Sequence, residues 1–299
     1  MQTVAKVYAL NKLFANHDGK LLNYADLAKY LFGQNDGVRE ELEELEGAVT
    51  SDQALDAYGD TLTFVDGLLF KAGIDLDTAI ALERIFNNHG PHMLRPCAAS
   101  LLRECKTRGV FALEVNIDPI YSWFDGYAPS KFLATADEFA ERQIEFKGYD
   151  TDLEKCELLR IFTVIAWAYY RSILSSAQDR TGFNIEAAYD RVHESNLSKL
   201  CWSADERDTS IATYCSRYDL TEDAFTFDEC LSEDGRTYYV IRTACDVVFK
   251  KLDGDKFVPK GKFLKSINFV EPVFGCPPVW SQNFNRDFCM FSLRAPAAL

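Results

Sequence analysis

The sequence predicts a mainly α protein: a helical bundle of two similar repeats, the second degenerate, followed by a small C-terminal β-hairpin or meander. Three observations predict it. Apolar residues recur at helical spacing from Tyr24 to about Asn88, and helical pattern resumes from Ala136 to Leu200. Two stretches of equal length, Gly73 to Asn87 and Gly182 to Asn196, carry the same order of residue types. Beyond Trp202, alternating and β-branched residues flank the turn signal Asp253-Gly254-Asp255.

In chain order, the first region reads as four helices: YADLAKYLFGQ, VREELEELEGAV, SDQALDAYGDTLTFVDGLLFKAG and DLDTAIALERIFNN. Gly33, Gly37 and Gly73 punctuate them, Ser51 and Asp52 offer an N-cap to the third, and Asp75 or Asp77 offers one to the fourth. Four helices with short connections can build a site from facing side chains in the bundle core. Residues 91–130 hold Pro91, Pro96, Pro119 and Pro129 and read as a connection with short elements. Helices resume at ADEFAERQIEF, TDLEKCELLRIFTVIAWAYYRSILSSA and NIEAAYDRVHESNLSKL. The division is therefore 1–90 for the first repeat, 91–130 for the connection, 131–200 for the second repeat and 201–299 for an insertion with a small β-containing tail.

The two repeats match most closely just after their long apolar helices. Each segment starts with Gly, places an aliphatic residue fourth (Leu76, Ile185), an acid fifth (Asp77, Glu186) and Ala seventh (Ala79, Ala188), and ends in Asn. The preceding helices, DAYGDTLTFVDGLLFKA and RIFTVIAWAYYRSILSS, are both long and apolar, and the second has no acid.

A chain of 299 residues, 47% hydrophobic and 26% charged, has enough apolar material for one large or two modest domains. Its formal net charge of −14 argues against nucleic-acid binding, which depends on clustered Lys and Arg. A free nucleotide bound through metal ions stays compatible, because the cation meets the phosphates. Nine cysteines are scattered singly with no zinc-type spacing, as expected of reduced thiols in a cytoplasmic protein. The start MQTVAKVYALNKLF lacks the pattern of a signal peptide. The longest apolar candidate, Leu158 to Leu174, is interrupted by Arg160 and Arg171 and reads as a buried helix, so no membrane association is expected.

The chemistry-bearing pattern is acidic. Glu40, Glu41, Glu43, Glu44 and Glu46 stand on one predicted helix, with Glu41 and Glu44 on the same face. The next helix opens with Asp56 and carries Asp60 one turn later, so two facing helices offer four carboxylates to one point. Such a cluster repels itself unless a cation sits in it, and Mg²⁺ takes oxygen ligands together with phosphate oxygens. A glutamate run is ordinarily a solvated face, and Asp56 alone suits an early helical turn. Asp60 differs, because Leu62, Phe64, Val65, Leu68, Leu69 and Phe70 make its helix apolar and an acid there needs a partner.

REELEELEGAV followed by DAYGDTLTFVDGLLFKAGIDLD resembles the signature of the all-α nucleoside-triphosphate pyrophosphohydrolases, the MazG and dimeric dUTPase group, with EExxE and then ExxD. Glu40, Glu41 and Glu44 match the first half and Asp60 the final Asp. Ala57 stands where the family has a third Glu, and Asp56 is the nearest acid, an arrangement similar to the DALxD of phage members. VHESNLSKL at 192–200 and GKFLKSINFVEP at 261–272 resemble two further segments of phage MazG-like proteins, with Ser266 in place of Gly and the insertion between them.

The resemblance implies Mg²⁺, or Mn²⁺, held by Glu41, Glu44, Asp56 and Asp60, and Glu40 orienting or deprotonating the attacking water. It implies substrate contacts from Asn196, Lys199, Lys262 and Lys265, and cleavage of a (deoxy)nucleoside triphosphate to monophosphate and pyrophosphate. Family subunits pair to complete a site, so a monomeric pseudo-dimer or a homodimer is expected. Read without the family, Asn196 equally suits a helix C-cap, the lysines a solvated hairpin edge, and His193 a structural role. Trp167, Tyr169, Tyr170 and Phe183 suit either base stacking or a core. Two other functions fit the same residues: a catalytically silent nucleotide-binding or inhibitory protein, and a structural helical protein whose acids are surface decoration.

Overall fold

The computed structural model describes residues 3–89, 94–113, 151–232, 234–250 and 254–275. The protein is mainly helical with a small C-terminal β component. Its helices are α1 (Thr3–Leu13), α2 (Tyr24–Gly47), α3 (Ser51–Lys71), α4 (Leu76–His89), α5 (Leu94–Thr107), α6 (Asp152–Thr181), α7 (Ile185–Leu197) and α8 (Ala204–Tyr218). A single 3-10 turn at Glu222–Ala224 leads into β1 (Phe225–Leu231), β2 (Thr237–Thr243), β3 (Val247–Phe249) and β4 (Lys256–Val258). The chain divides into two compact units. One holds residues 1–8, 17–190 and 274–299, and the other 9–16 and 191–273.

In the first unit the expected pair YADLAKYLFGQ and VREELEELEGAV is one continuous helix, α2. Gly33 and Gly37 do not break it. Gly37 is used for close packing, since a Cβ there would come within 2.3 Å of the Phe64 ring. The α3 N-cap is Thr50 rather than Ser51 or Asp52. Its Oγ1 accepts from Gln53 N at 3.2 Å while Gln53 Oε1 accepts from Thr50 N at 3.2 Å, a reciprocal capping box. Residues 94–107 of the expected connection with short elements form a 14-residue helix: Pro96 lies in its first turn, where a missing N–H costs nothing. Cys97, Ala98, Leu101, Leu102 and Cys105 bury one stripe of it. The helix expected at ADEFAERQIEF lies outside the described residues.

The two segments matched in the sequence adopt the same local geometry. Gly73 (φ 73°) and Gly182 (φ 69°) both take the left-handed conformation that ends a long helix. Two residues on, Asp75 Oδ1 accepts from Thr78 N and Asn184 Oδ1 from Ala187 N, each at 2.9 Å, starting α4 and α7 alike.

Both arginines that interrupt the apolar run of α6 are used inside the fold. Arg160 Nε donates to Ala72 O at 3.0 Å and Nη2 to Lys20 O at 3.3 Å, bringing a cation to the C-terminus of α3. Arg171 is buried against two acids, with Nη2 at 2.7 Å from Asp66 Oδ2 and 2.9 Å from Glu83 Oε1. Trp167 Nε1 donates to Asp66 Oδ1 at 2.9 Å. Trp167, Leu68, Leu82 and Leu101 are buried members of the apolar core of this unit. Among the described residues, no helix is long and apolar enough to cross a membrane.

In the second unit, β1 and β2 pair antiparallel with Phe227 opposite Ile241 and Glu229 opposite Tyr239. One face of the pair, through Phe225 and Ile241, packs with Tyr214 and Tyr218 of α8, and the other, through Tyr238 and Val240, with Leu10, Phe14 and Leu200. β3 and β4 form a second antiparallel pair, and Phe249 stacks on Tyr218 at 4.1 Å; the start of the expected turn at Asp253 lies outside the described residues. Among the described residues the β component is thus two antiparallel strand pairs, and α8 stands where only scattered polar stretches were expected. The described cysteines 97, 105, 156, 201, 215, 230 and 245 are free thiols.

Replacing Arg171 by Leu leaves Asp66 and Glu83 buried without their cation, which should cost about 3–5 kcal/mol at neutral pH. Urea unfolding of the variant measures this; a loss below about 1 kcal/mol would show that the pair is not sealed from water.

Candidate functional site

The acidic site is built on the α2–α3 hairpin. The helices run antiparallel through the short connection Ala48–Thr50 and approach closely at two glycines. Gly37 admits the Phe64 ring, and Gly67 admits Gln34, whose Nε2 donates to Phe64 O at 2.7 Å. Gln34 and Gly37 therefore mark the stripe of α2 that meets α3, and Phe64 and Gly67 the answering stripe.

Steps of three and four residues along an α-helix stay on one face, so Glu41 and Glu44 continue the stripe of Gln34 and Gly37. Asp60 and Asp56 continue the stripe of Phe64 in the same way. Following the antiparallel register from Gly37 opposite Phe64 toward the turn brings Glu41 level with Asp60, and Glu44 level with the turn of helix holding Asp56. By this register the four carboxylates fall on the two answering stripes, in the half of the hairpin nearer its connection.

Their exposure is graded. Glu41, Asp56 and Asp60 are half-buried, with Glu41 Oε2 shielded from solvent, whereas Glu40 and Glu44 are exposed. Ala57 is buried at 3% exposure between the helices, in the place where a third glutamate was looked for, and Asp56 sits one position to its side. The donors suit Mg²⁺ in kind, being hard carboxylate oxygens on facing helices. They are not closed in geometry: among the described residues no three His, Cys, Asp or Glu side chains converge as a metal set.

Asn196, Lys199, Lys262 and Lys265 belong to the second unit. Asn196 lies in the last turn of α7, buried at 5% exposure, and its Oδ1 accepts from Lys199 Nζ. It does not take the left-handed conformation of a C-cap, which among the described non-glycine residues is confined to Ala15 and Asp219. The segments 192–200 and 261–272, far apart in sequence, meet: Ser266 N donates to Lys199 O at 3.3 Å and Val270 N to Ser198 Oγ at 2.9 Å. The insertion between them folds as α8 and the two strand pairs.

The lysines differ in their surroundings. Lys265 pairs with Glu271 at 2.9 Å and lies over the Phe269 ring, while Lys262 is exposed with its backbone N–H on Thr243 Oγ1 at 3.0 Å. Trp167, Tyr170 and Phe183 are buried core residues and Tyr169 is half-buried. Tyr170 donates to Asn35 Oδ1 at 2.8 Å, and burial pushes the Tyr169 hydroxyl up to about 12.

Sequence reasoning missed Asp66, Glu83 and Glu206. Glu206 stands in the first turn of α8, where its Oε2 accepts from Trp202 N at 2.8 Å and its Oε1 from the Ser266 hydroxyl. The segment carrying Lys265 is tied to α8 at that point. The Ser203-x-x-Glu206 capping pattern is the signal that could have found it.

Gly37→Ala should cost about 1–3 kcal/mol by forcing the Phe64 ring aside, and Phe64→Leu in the same chain should recover part of that loss. A double-mutant cycle in urea reads the coupling; strictly additive losses would mean that α2 and α3 do not touch there.

No protein-family model matches the chain, and no solved structure matches it. It is similar to an uncharacterized protein of Acanthamoeba polyphaga mimivirus, 28% identical over 182 residues, covering 60% of this chain and 62% of that one. The chain thus spans about three fifths of the length of the curated relative it matches.

Proposed function

We propose that the protein is a Mg²⁺-dependent nucleotide pyrophosphohydrolase that cuts a (deoxy)nucleoside triphosphate to its monophosphate and pyrophosphate. One observation carries the reading: Glu41, Glu44, Asp56 and Asp60 continue the two stripes along which α2 and α3 touch. Acids so placed repel one another, and a divalent cation is the economical way to hold them together. Side-chain rotation on fixed helices is what closing the set requires.

When bound, Mg²⁺ supplies charge neutralisation at phosphate oxygens. The reading gives Glu40, exposed next to Glu41, the role of orienting or deprotonating water. Within the second unit, Asn196 fixes the Lys199 ammonium by accepting its hydrogen bond. The base and sugar are left to whichever aromatic groups line the bound nucleotide.

A second reading, a catalytically silent nucleotide-binding or inhibitory protein, is favoured by the buried Ala57 and by the open geometry of the acids. The two separate on one assay. The full chain is mixed with each common NTP and dNTP plus Mg²⁺, with and without EDTA, and monophosphate and pyrophosphate are followed together. EDTA-sensitive release of both from a nucleotide, lost in Asp60→Asn with the circular dichroism spectrum unchanged, is the expected result. Full turnover by Asp60→Asn would overturn the assignment of Asp60, and nucleotide binding without turnover would favour the silent protein.

A further inference from the structure

Four helices of the first unit meet at a cluster with one negative charge too many. α1 supplies Thr3, α3 Asp66, α4 Glu83, and α6 Arg171 and Trp167, all of them buried. Among the described residues, Tyr8 of α1 and Tyr189 of α7, also buried, are titratable groups that face it. Two carboxylates against one guanidinium leave a net negative charge sealed from water, which is strongly unfavourable.

Counting hydrogens gives the same imbalance. Thr3 Oγ1 lies 2.9 Å from Asp66 Oδ2 and 2.9 Å from Glu83 Oε1, and it also accepts from Arg171 Nη2. A hydroxyl has one proton to donate, so it serves one carboxylate and leaves the other contact without a hydrogen. Arg171 Nη2 faces three acceptors, Asp66 Oδ2, Glu83 Oε1 and Thr3 Oγ1, with two hydrogens. Glu83 Oε2 is buried with no hydrogen-bond partner, an unfavourable setting for an ionised oxygen.

We propose that at neutral pH this cluster holds one proton shared between Asp66 and Glu83, so that the four helices meet on an electrically neutral buried node. One added proton removes the shortfall at Thr3, which then donates to one carboxylate and accepts from the other and from Arg171, while Nη2 divides its two hydrogens among three acceptors. On deprotonation the proton passes to solvent and the buried excess charge appears. Burial also pushes the Asp66 carboxyl up, against the opposing pull of Arg171 and the Trp167 indole. The inference is independent of the nucleotide chemistry proposed for the carboxylates near the hairpin connection.

The sign of the pH dependence follows from linkage. A carboxyl that titrates higher in the fold than its unfolded value of about 4 makes the folded chain the better proton binder. Stability therefore falls as pH rises from about 4, and levels off once the folded cluster has released its proton.

Two measurements on the full chain test this. The infrared spectrum at neutral pH should show the C=O stretch of a buried protonated carboxyl, shifted in D₂O and absent from Glu83→Gln. Between about pH 6 and 8 the wild-type Tm should fall by about 3 °C per pH unit more steeply than that of Glu83→Gln, as one bound proton requires. A wild-type spectrum without the protonated carboxyl at neutral pH overturns the proposal, as do equal slopes in the two proteins. The wild-type spectrum decides by itself should Glu83→Gln not fold.

Discussion

The ion pair of Asp66 with Arg171 is the contact on which the helical unit depends. A guanidinium sealed from water has to find its hydrogen bonds within the protein, and Arg171 finds them on α3, α4 and α1. That requirement fixes the axial position of α3 against α6. Arg160, three helical turns earlier on α6, grips the carbonyl end of the same helix at Ala72. α3 is consequently held along its C-terminal third, at Asp66 and at the Ala72 carbonyl, and its N-terminal half carries Asp56 and Asp60.

From that anchored helix the acidic site follows by packing. Gly37 and Gly67 let α2 and α3 approach so closely that each admits a large side chain of the other, Phe64 and Gln34. The approach sets the register, and the register decides which α2 residues stand level with Asp56 and Asp60. Glu41 and Glu44 do so because they fall three and four residues apart on the stripe already committed to α3.

Sequence spacing made the placement of these acids on two consecutive helices legible because the pattern is local. Two runs of acids on consecutive helices need only helical periodicity and an antiparallel turn to be brought together. The same periodicity would have found α8, whose Ile211, Tyr214, Cys215 and Tyr218 recur at three, four and seven residues, but its polar opening obscured the stripe. β1 was hidden for the opposite reason. Most of its residues face solvent, so it shows little apolar alternation.

The buried cluster was not legible at all. Asp66 and Arg171 are 105 residues apart, and nothing in the spacing of either announces the other. An acid inside an apolar helix was expected to need a partner, and the expectation fell on half-buried Asp60 rather than on Asp66, which is fully buried one and a half turns later. Glycine was misread for a related reason: without its neighbour Phe64 in view, Gly37 signals a break, and only the packed structure shows it as a contact. The most direct test of the account is to titrate the full chain with Mn²⁺ and follow paramagnetic broadening of backbone amides by NMR. Broadening that starts at Glu41, Glu44, Asp56 and Asp60 and is lost in Asp60→Asn is the predicted result; broadening elsewhere, or none at these residues, would contradict it.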